Sequence, residues 1–186
     1  MLLAAATDGH LFWITSRAAG ILALLLSSAS VSIGLLMGGR LIKRRGAELR
    51  SLHEALALGT MGAIVVHAVT LLGDGFLHPS LLDIALPFAS SYQRAWTTLG
   101  IAAGWLTLIL GLSYYARTRI GVQRWRRWHR FTALAWVASI AHSLGEGTDA
   151  GQAWFLVAVG VVALPGLALL ARRLTLHTPV REGIPS

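Results

Sequence analysis

The chain contains no cysteine among its 186 residues. That excludes disulfides, iron–sulfur clusters, thiolate-ligated haem and c-type haem attachment. It is also poor in charge: 13% of residues are Asp, Glu, Lys or Arg, against 55% hydrophobic, with a mean hydropathy of +0.63. An ordinary soluble domain is not that apolar, and a membrane bundle is. Acidic residues are scarcest, eight against sixteen Lys and Arg, for a net charge of +8. A basic surplus can mark a nucleic-acid partner, but no DNA-binding motif is present and the basic residues flank apolar runs, so no nucleic-acid partner is expected. No glycine-rich dinucleotide fingerprint follows a predicted strand, and no segment is large enough for a soluble nicotinamide or flavin domain. Met1–His10 lacks a basic leader, so Phe12–Met37 reads as a retained membrane span and not as a cleaved signal. No linker, internal repeat or low-complexity stretch divides the chain, and 1–186 reads as a single membrane domain.

What is present is a set of five long apolar segments, at about 11–37, 51–73, 94–116, 127–146 and 153–171. The expected fold is an all-α integral membrane bundle of five transmembrane helices, multi-pass in the plasma membrane. Arg40, Lys43, Arg44, Arg45 and Arg50 follow the first span. Arg117, Arg119, Arg124, Arg126, Arg127 and Arg130 lie around the junction of the third and fourth, and Arg172, Arg173 and Arg181 form the tail. The alternate connections carry Asp8, Asp74, Asp83, Glu146 and Asp149. The positive-inside rule then places the N-terminus outside and the C-terminus in the cytoplasm, with the basic face next to anionic membrane lipid. The outer loop 73–93 is rich in Leu and is bounded by Pro79 and Pro87, as expected of an interfacial segment folded over the outer face.

Four histidines lie inside the spans as two pairs, His53 and His67 in the second and His129 and His142 in the fourth. Their spacings, 14 and 13 residues, each cover about 20 Å of helix, so each span carries one histidine toward either membrane face. Ionisable residues at such depth are costly and read as functional. Spans two and four run in the same direction, which matches His53 with His129 near the cytoplasm and His67 with His142 near the outside. Two levels of paired neutral imidazoles suit two stacked b-type haems, each six-coordinate and without an open iron position. One point of geometry is awkward. At 100° per residue, 14 residues fall about 40° short of whole turns and keep one face, whereas 13 fall about 140° short. A π-bulge or bend in the fourth span, or helix tilt, would restore the facing.

Further residues gather around these pairs. Gly59 and Gly62 in span two, and Gly100 and Gly104 in span three, either admit a flat macrocycle or serve ordinary small-residue helix packing. Trp136, midway between His129 and His142, is a candidate inter-haem residue or a core filler. Trp13, Trp96, Trp125, Trp128 and Trp154 read as interfacial belt residues. Arg17 and Arg94 are the two basic residues outside the cytoplasmic set, and both are candidate partners for haem propionates at the outer level. Arg17 is the better candidate, because snorkelling, the alternative, is a poor reason to place an arginine at that depth. His10, His78 and His177 lie outside the spans and read as solvated.

The pattern resembles the ferric reductase-like transmembrane domain, shared by ferric reductases, NADPH oxidases and the haem-binding membrane subunit of a bacterial periplasmic methionine sulfoxide reductase. The resemblance covers about residues 11–172: "SRAAG" in span one, the His53/His67 pair, "PFASSYQRAWTTLGIAA" entering span three, "RRWHR" with His129 and "HSLGEGTD" with His142. It implies two stacked haems b, an outward electron path, an unequal second histidine spacing and an arginine near the outer haem, a place that Arg17 matches. The chain departs from larger members in lacking a cytoplasmic flavin and nicotinamide domain, and in having five spans where many have six. The expected function is transmembrane electron transfer, as an oxidoreductase component that takes electrons from a cytoplasmic-side flavoprotein or quinol donor. The acceptor would be ferric iron, oxygen or a partner reductase outside. The alternatives are a non-catalytic haem-bearing anchor subunit of a larger respiratory or photosynthetic complex, and a haem sensor or haem-handling protein.

Overall fold

A computed structural model describes residues 2–39 and 46–175, with side chains from residue 10 onward. Arg40, Lys43, Arg44, Arg45, His177 and Arg181, and the side chain of Asp8, lie outside the described set. The described residues form α1 (Leu2–Gly38), α2 (Gly46–Leu71), α3 (Leu81–Ala85), α4 (Arg94–Leu112), α5 (Arg117–Ile120), α6 (Val122–His129), α7 (Thr132–Glu146) and α8 (Ala153–Thr175). There is no strand among them. Four helices are long and apolar enough to cross a membrane: α1 from His10 to Gly38, α2, α4 and α8. The protein is thus a helical, multi-pass membrane protein.

Their side chains are arranged as lipid contact requires. Val65, Val69, Ile109, Val157, Val161 and Leu164 are exposed along the long helices, while Ser16, Ser28, Ser30 and Thr60 are buried. A helix that is apolar nearly all round has no amphipathic reason to hide its hydrophobic face. Two hydroxyls return to their own helices, Ser28 to Leu24 O and Thr60 to Leu56 O, and two cross to α2, Ser16 to His67 O and Ser30 to His53 O.

The sequence-predicted span 127–146 is not one helix. α6 ends at His129, Arg130 and Phe131 form a turn, and α7 restarts at Thr132. α7 alone has 15 residues, about 22 Å, which is short of a hydrocarbon core of about 30 Å. Across the junction the hydrogen bonds tighten to three-residue steps, Phe131 N–H to Trp128 O and Ala133 N–H to Arg130 O, before Ala135 N–H returns to a four-residue step on Phe131 O. Each tightened residue adds about 20° over α-helical winding. The break therefore rotates α7 in the sense that the short 13-residue spacing demands.

α1 packs along α2, α4 along α7, and α8 against α1, whereas α2 and α4 touch only sparsely. The buried core lies where α1, α7 and α8 meet, around Leu24, Trp136, Ile140, Phe155, Val159 and Ala163. Beside it, α1, α2, α4 and α7 enclose a cavity. The loop after α2 crosses one end, with α3 capped by Ser80 and Asp83 in a reciprocal box. Trp105 in α4 fastens that loop by donating its indole N–H to Ala85 O.

Candidate functional site

The cavity has a volume of about 660 Å³ and is lined by all four span histidines, His53, His67, His129 and His142. That lies within the range of about 300–1,000 Å³ usual for cofactor pockets. His53 and His129 meet at one level, with ring centres 6.2 Å apart and ring planes at 87°. His67 and His142 are electrostatic neighbours at the other.

The rings are held from behind. His53 Nδ1 lies 2.9 Å from Ser30 O and 3.0 Å from Ser30 Oγ. His67 Nδ1 stands in the same relation to Ser16, 2.8 Å from its carbonyl and 3.0 Å from its hydroxyl. A carbonyl only accepts, so Nδ1 carries the proton in both rings and donates it, leaving Nε2 with its lone pair free. Ser16 and Ser30 are 14 residues apart, as are His53 and His67, and the antiparallel run of α1 on α2 matches them in register. Four residues beyond each serine stands a glycine. A Cβ on Gly20 would come within 3.1 Å of His67, and one on Gly34 within 3.2 Å of His53. α1 therefore carries the same cradle twice, Ser16-x-x-x-Gly20 and Ser30-x-x-x-Gly34, a short internal repeat that corrects the expectation of none.

α4 does the equivalent for the other pair. His142 Nδ1 donates to Trp96 O at 2.9 Å, and a Cβ on Gly100 would lie 2.6 Å from the His142 ring. Leu110, 14 residues beyond Trp96, is the backbone carbonyl that faces His129, although His129 Nδ1 closes no hydrogen bond among the described residues. Trp125 stacks on His129 at 4.9 Å between ring centres. This indole, expected as a belt residue, also supports a site residue.

A metal ion between the rings is consistent with this geometry. At the metal–imidazole bond length of zinc sites, about 2.0–2.1 Å, with about 1.2 Å from each ring centre to its nitrogen, a trans pair has ring centres about 6.4 Å apart. The observed 6.2 Å is close to this, and the Nδ1–H of His53, held by Ser30, leaves its Nε2 free to face His129. No group of three or more His, Asp or Glu arranged to hold a bare ion occurs among the described residues.

Of the other sequence-predicted residues, Trp136 is 2% exposed, belongs to the core and donates its indole N–H to Ser28 Oγ at 2.9 Å. It also lines the cavity between the two levels. Gly100 and Gly104 line the cavity; Gly59 and Gly62 do not, Gly59 facing Leu26 and Gly62 open space. Arg17 lines the cavity near the His67/His142 level, lies 5.0 Å over the Trp13 ring and makes a bidentate ion pair with Asp149 through Nε and Nη2. Asp149 is 5% exposed; its partnership with an arginine 132 residues away was not evident from the sequence. Arg94 is exposed at the start of α4 and lies outside the cavity. Two more carboxylates, Asp74 and Glu146, also line the cavity. Asp74 Oδ1 accepts from Phe76 and Leu77 N–H. Glu146 Oε1 accepts from Thr97 at 2.8 Å, while its Oε2 lies 3.1 Å from His142 Nδ1.

Comparison with protein-family models, with curated proteins and with solved structures gives no match.

Proposed function

We propose that this protein is a di-haem b transmembrane electron-transfer protein of the ferric reductase-like kind. His53 and His129 would ligate an inner haem, and His67 and His142 an outer one. The observation that carries the reading is the set of four cavity-lining imidazoles. One pair stands at the separation of trans axial ligands, and three of the four have Nδ1 bonded to a main-chain carbonyl. Hydrogen-bonded Nδ1–H is the usual support of a metal-bound histidine and raises its basicity. When bound, such bis-imidazole haems pass single electrons and offer no open iron position.

In this reading α6 and α7 together make a fifth crossing. His129 and His142, on either side of the junction at Arg130–Phe131, both line the cavity. The end that carries Arg117, Arg119, Arg124, Arg126, Arg127 and Arg130 faces the cytoplasm, and the end that carries Asp74, Asp83 and Asp149 faces outward. The two histidine levels are about 20 Å apart along the helices, and Trp136 fills the space between them. Electrons enter from a cytoplasmic flavoprotein or quinol and leave to an outer acceptor: ferric iron, oxygen or a partner reductase. With the inside negative, a full crossing outward is favoured by about 2.3 kcal/mol per 100 mV.

The pairing is tested by single substitutions on purified protein. His67→Ala and His142→Ala should deplete the same haem, and His53→Ala and His129→Ala the other. If His67→Ala and His142→Ala deplete different haems, the arrangement is wrong.

A further inference from the structure

The four histidines do not have equivalent surroundings. His53 and His67 have only neutral oxygens of Ser30 and Ser16 within reach of Nδ1, and His129 has no hydrogen-bond partner there. Among the described residues only His142 has a carboxylate within reach of Nδ1, with Glu146 Oε2 at 3.1 Å and Trp96 O at 2.9 Å on the same nitrogen.

Glu146 is oddly placed for a purely structural residue. It ends α7, where the helix dipole disfavours a negative charge. Its Oε2 is fully buried and makes no hydrogen bond in the resting geometry. A buried carboxylate oxygen left without a donor is costly, and the His142 Nδ1–H lies beside it at 3.1 Å. Thr97 holds Oε1 at 2.8 Å, which fixes the carboxylate on α4 and keeps Oε2 beside the ring.

We propose that Glu146 is a positioning residue that lowers the reduction potential of the outer haem relative to the inner one, by drawing the Nδ1 proton of His142 toward Oε2. This inference rests on the di-haem reading. A charged acceptor gives the imidazole partial imidazolate character, and a more basic axial ligand favours ferric over ferrous iron. The two levels thereby become electrically distinct although their ligands are the same.

The test is a redox titration of the holoprotein at fixed pH with the two haems resolved, together with electron paramagnetic resonance of the ferric low-spin signals. Glu146→Gln is isosteric and keeps an acceptor for Thr97. It should shift the ferric-to-ferrous ratio of the outer haem about tenfold toward ferrous at fixed potential, a rise of about 59 mV for one electron. The outer low-spin signal should move and the inner haem should be unchanged. Glu146→Asp keeps the charge and should stay closer to the parent protein than Gln does. If Glu146→Gln loses the outer haem, Thr97→Val carries the test, since it frees the carboxylate without removing it and should raise the outer midpoint by a smaller factor. An outer midpoint and signal that do not move in whichever variants retain the haem would mean that Glu146 only staples α7 to α4. A parent protein with no haem would instead overturn the function proposed above.

Discussion

Gly100→Ala should selectively weaken the outer cofactor site. A Cβ at this position would lie 2.6 Å from both Cε1 and Nδ1 of His142 and 2.9 Å from Cγ. The ring can retreat only toward the cavity, which pulls Nδ1 off Trp96 O at 2.9 Å and away from Glu146 at 3.1 Å. Forcing one methyl into such a contact costs about 1–3 kcal/mol. Loss of the Trp96 hydrogen bond adds about 0.5–1.5 kcal/mol. A total of about 1.5–4.5 kcal/mol corresponds to an outer-haem affinity lowered between roughly tenfold and a thousandfold, at 1.4 kcal/mol per decade. Gly62→Ala is the matched control, since a Cβ there meets nothing within 4 Å. Gly20→Ala and Gly34→Ala, with closest approaches of 3.1 and 3.2 Å to His67 and His53, should be milder and should affect the outer and inner sites respectively. The assay is titration of haem-depleted protein with haem, followed by reduced-minus-oxidised spectra. A Gly100→Ala protein that binds two haems as tightly as the Gly62→Ala control would refute the argument that the His142 ring must stay where α4 holds it.

Arg17 and Asp149 should act with opposite signs. Arg17→Gln removes a cation from the outer level and leaves Asp149 buried without its partner, so the outer midpoint should fall by tens of millivolts, roughly 1–2 kcal/mol for one electron, the scale of a charge-assisted contact. Asp149→Asn should raise it, and equal midpoints in both variants would place the pair outside the reach of the site. Orientation is testable because the chain has no cysteine of its own. An impermeant thiol reagent applied to intact cells should label a cysteine placed at Ser80 and miss one at Thr175. The reverse result would overturn the topology and with it the direction of electron flow.

The helical membrane character, the long helices and the four histidines were legible in the sequence because each is a local pattern of span length or spacing. The His53–His129 meeting was legible too, since it needs only that spans two and four run the same way. The broken helix was anticipated only as some bend. Its position depends on how α6 and α7 separately satisfy α4, and no proline or glycine marks Arg130–Phe131. The Ser16/Gly20 and Ser30/Gly34 cradle carried a signal that was passed over, a 14-residue repeat in α1 equal to the histidine spacing in α2. Serine and glycine are common in membrane helices for packing alone, and only the antiparallel register gives the repeat its meaning. The Arg17–Asp149 pair and the Thr97–Glu146 bond carried no signal, because they join residues 132 and 49 positions apart through the tertiary arrangement.

The central claim is most directly tested by haem quantitation on the purified full-length protein, with a reduced-minus-oxidised spectrum of the same sample. The account predicts about two non-covalent haems b per chain, both low-spin and six-coordinate when oxidised. A stoichiometry near one or zero, or a high-spin oxidised spectrum, would contradict it.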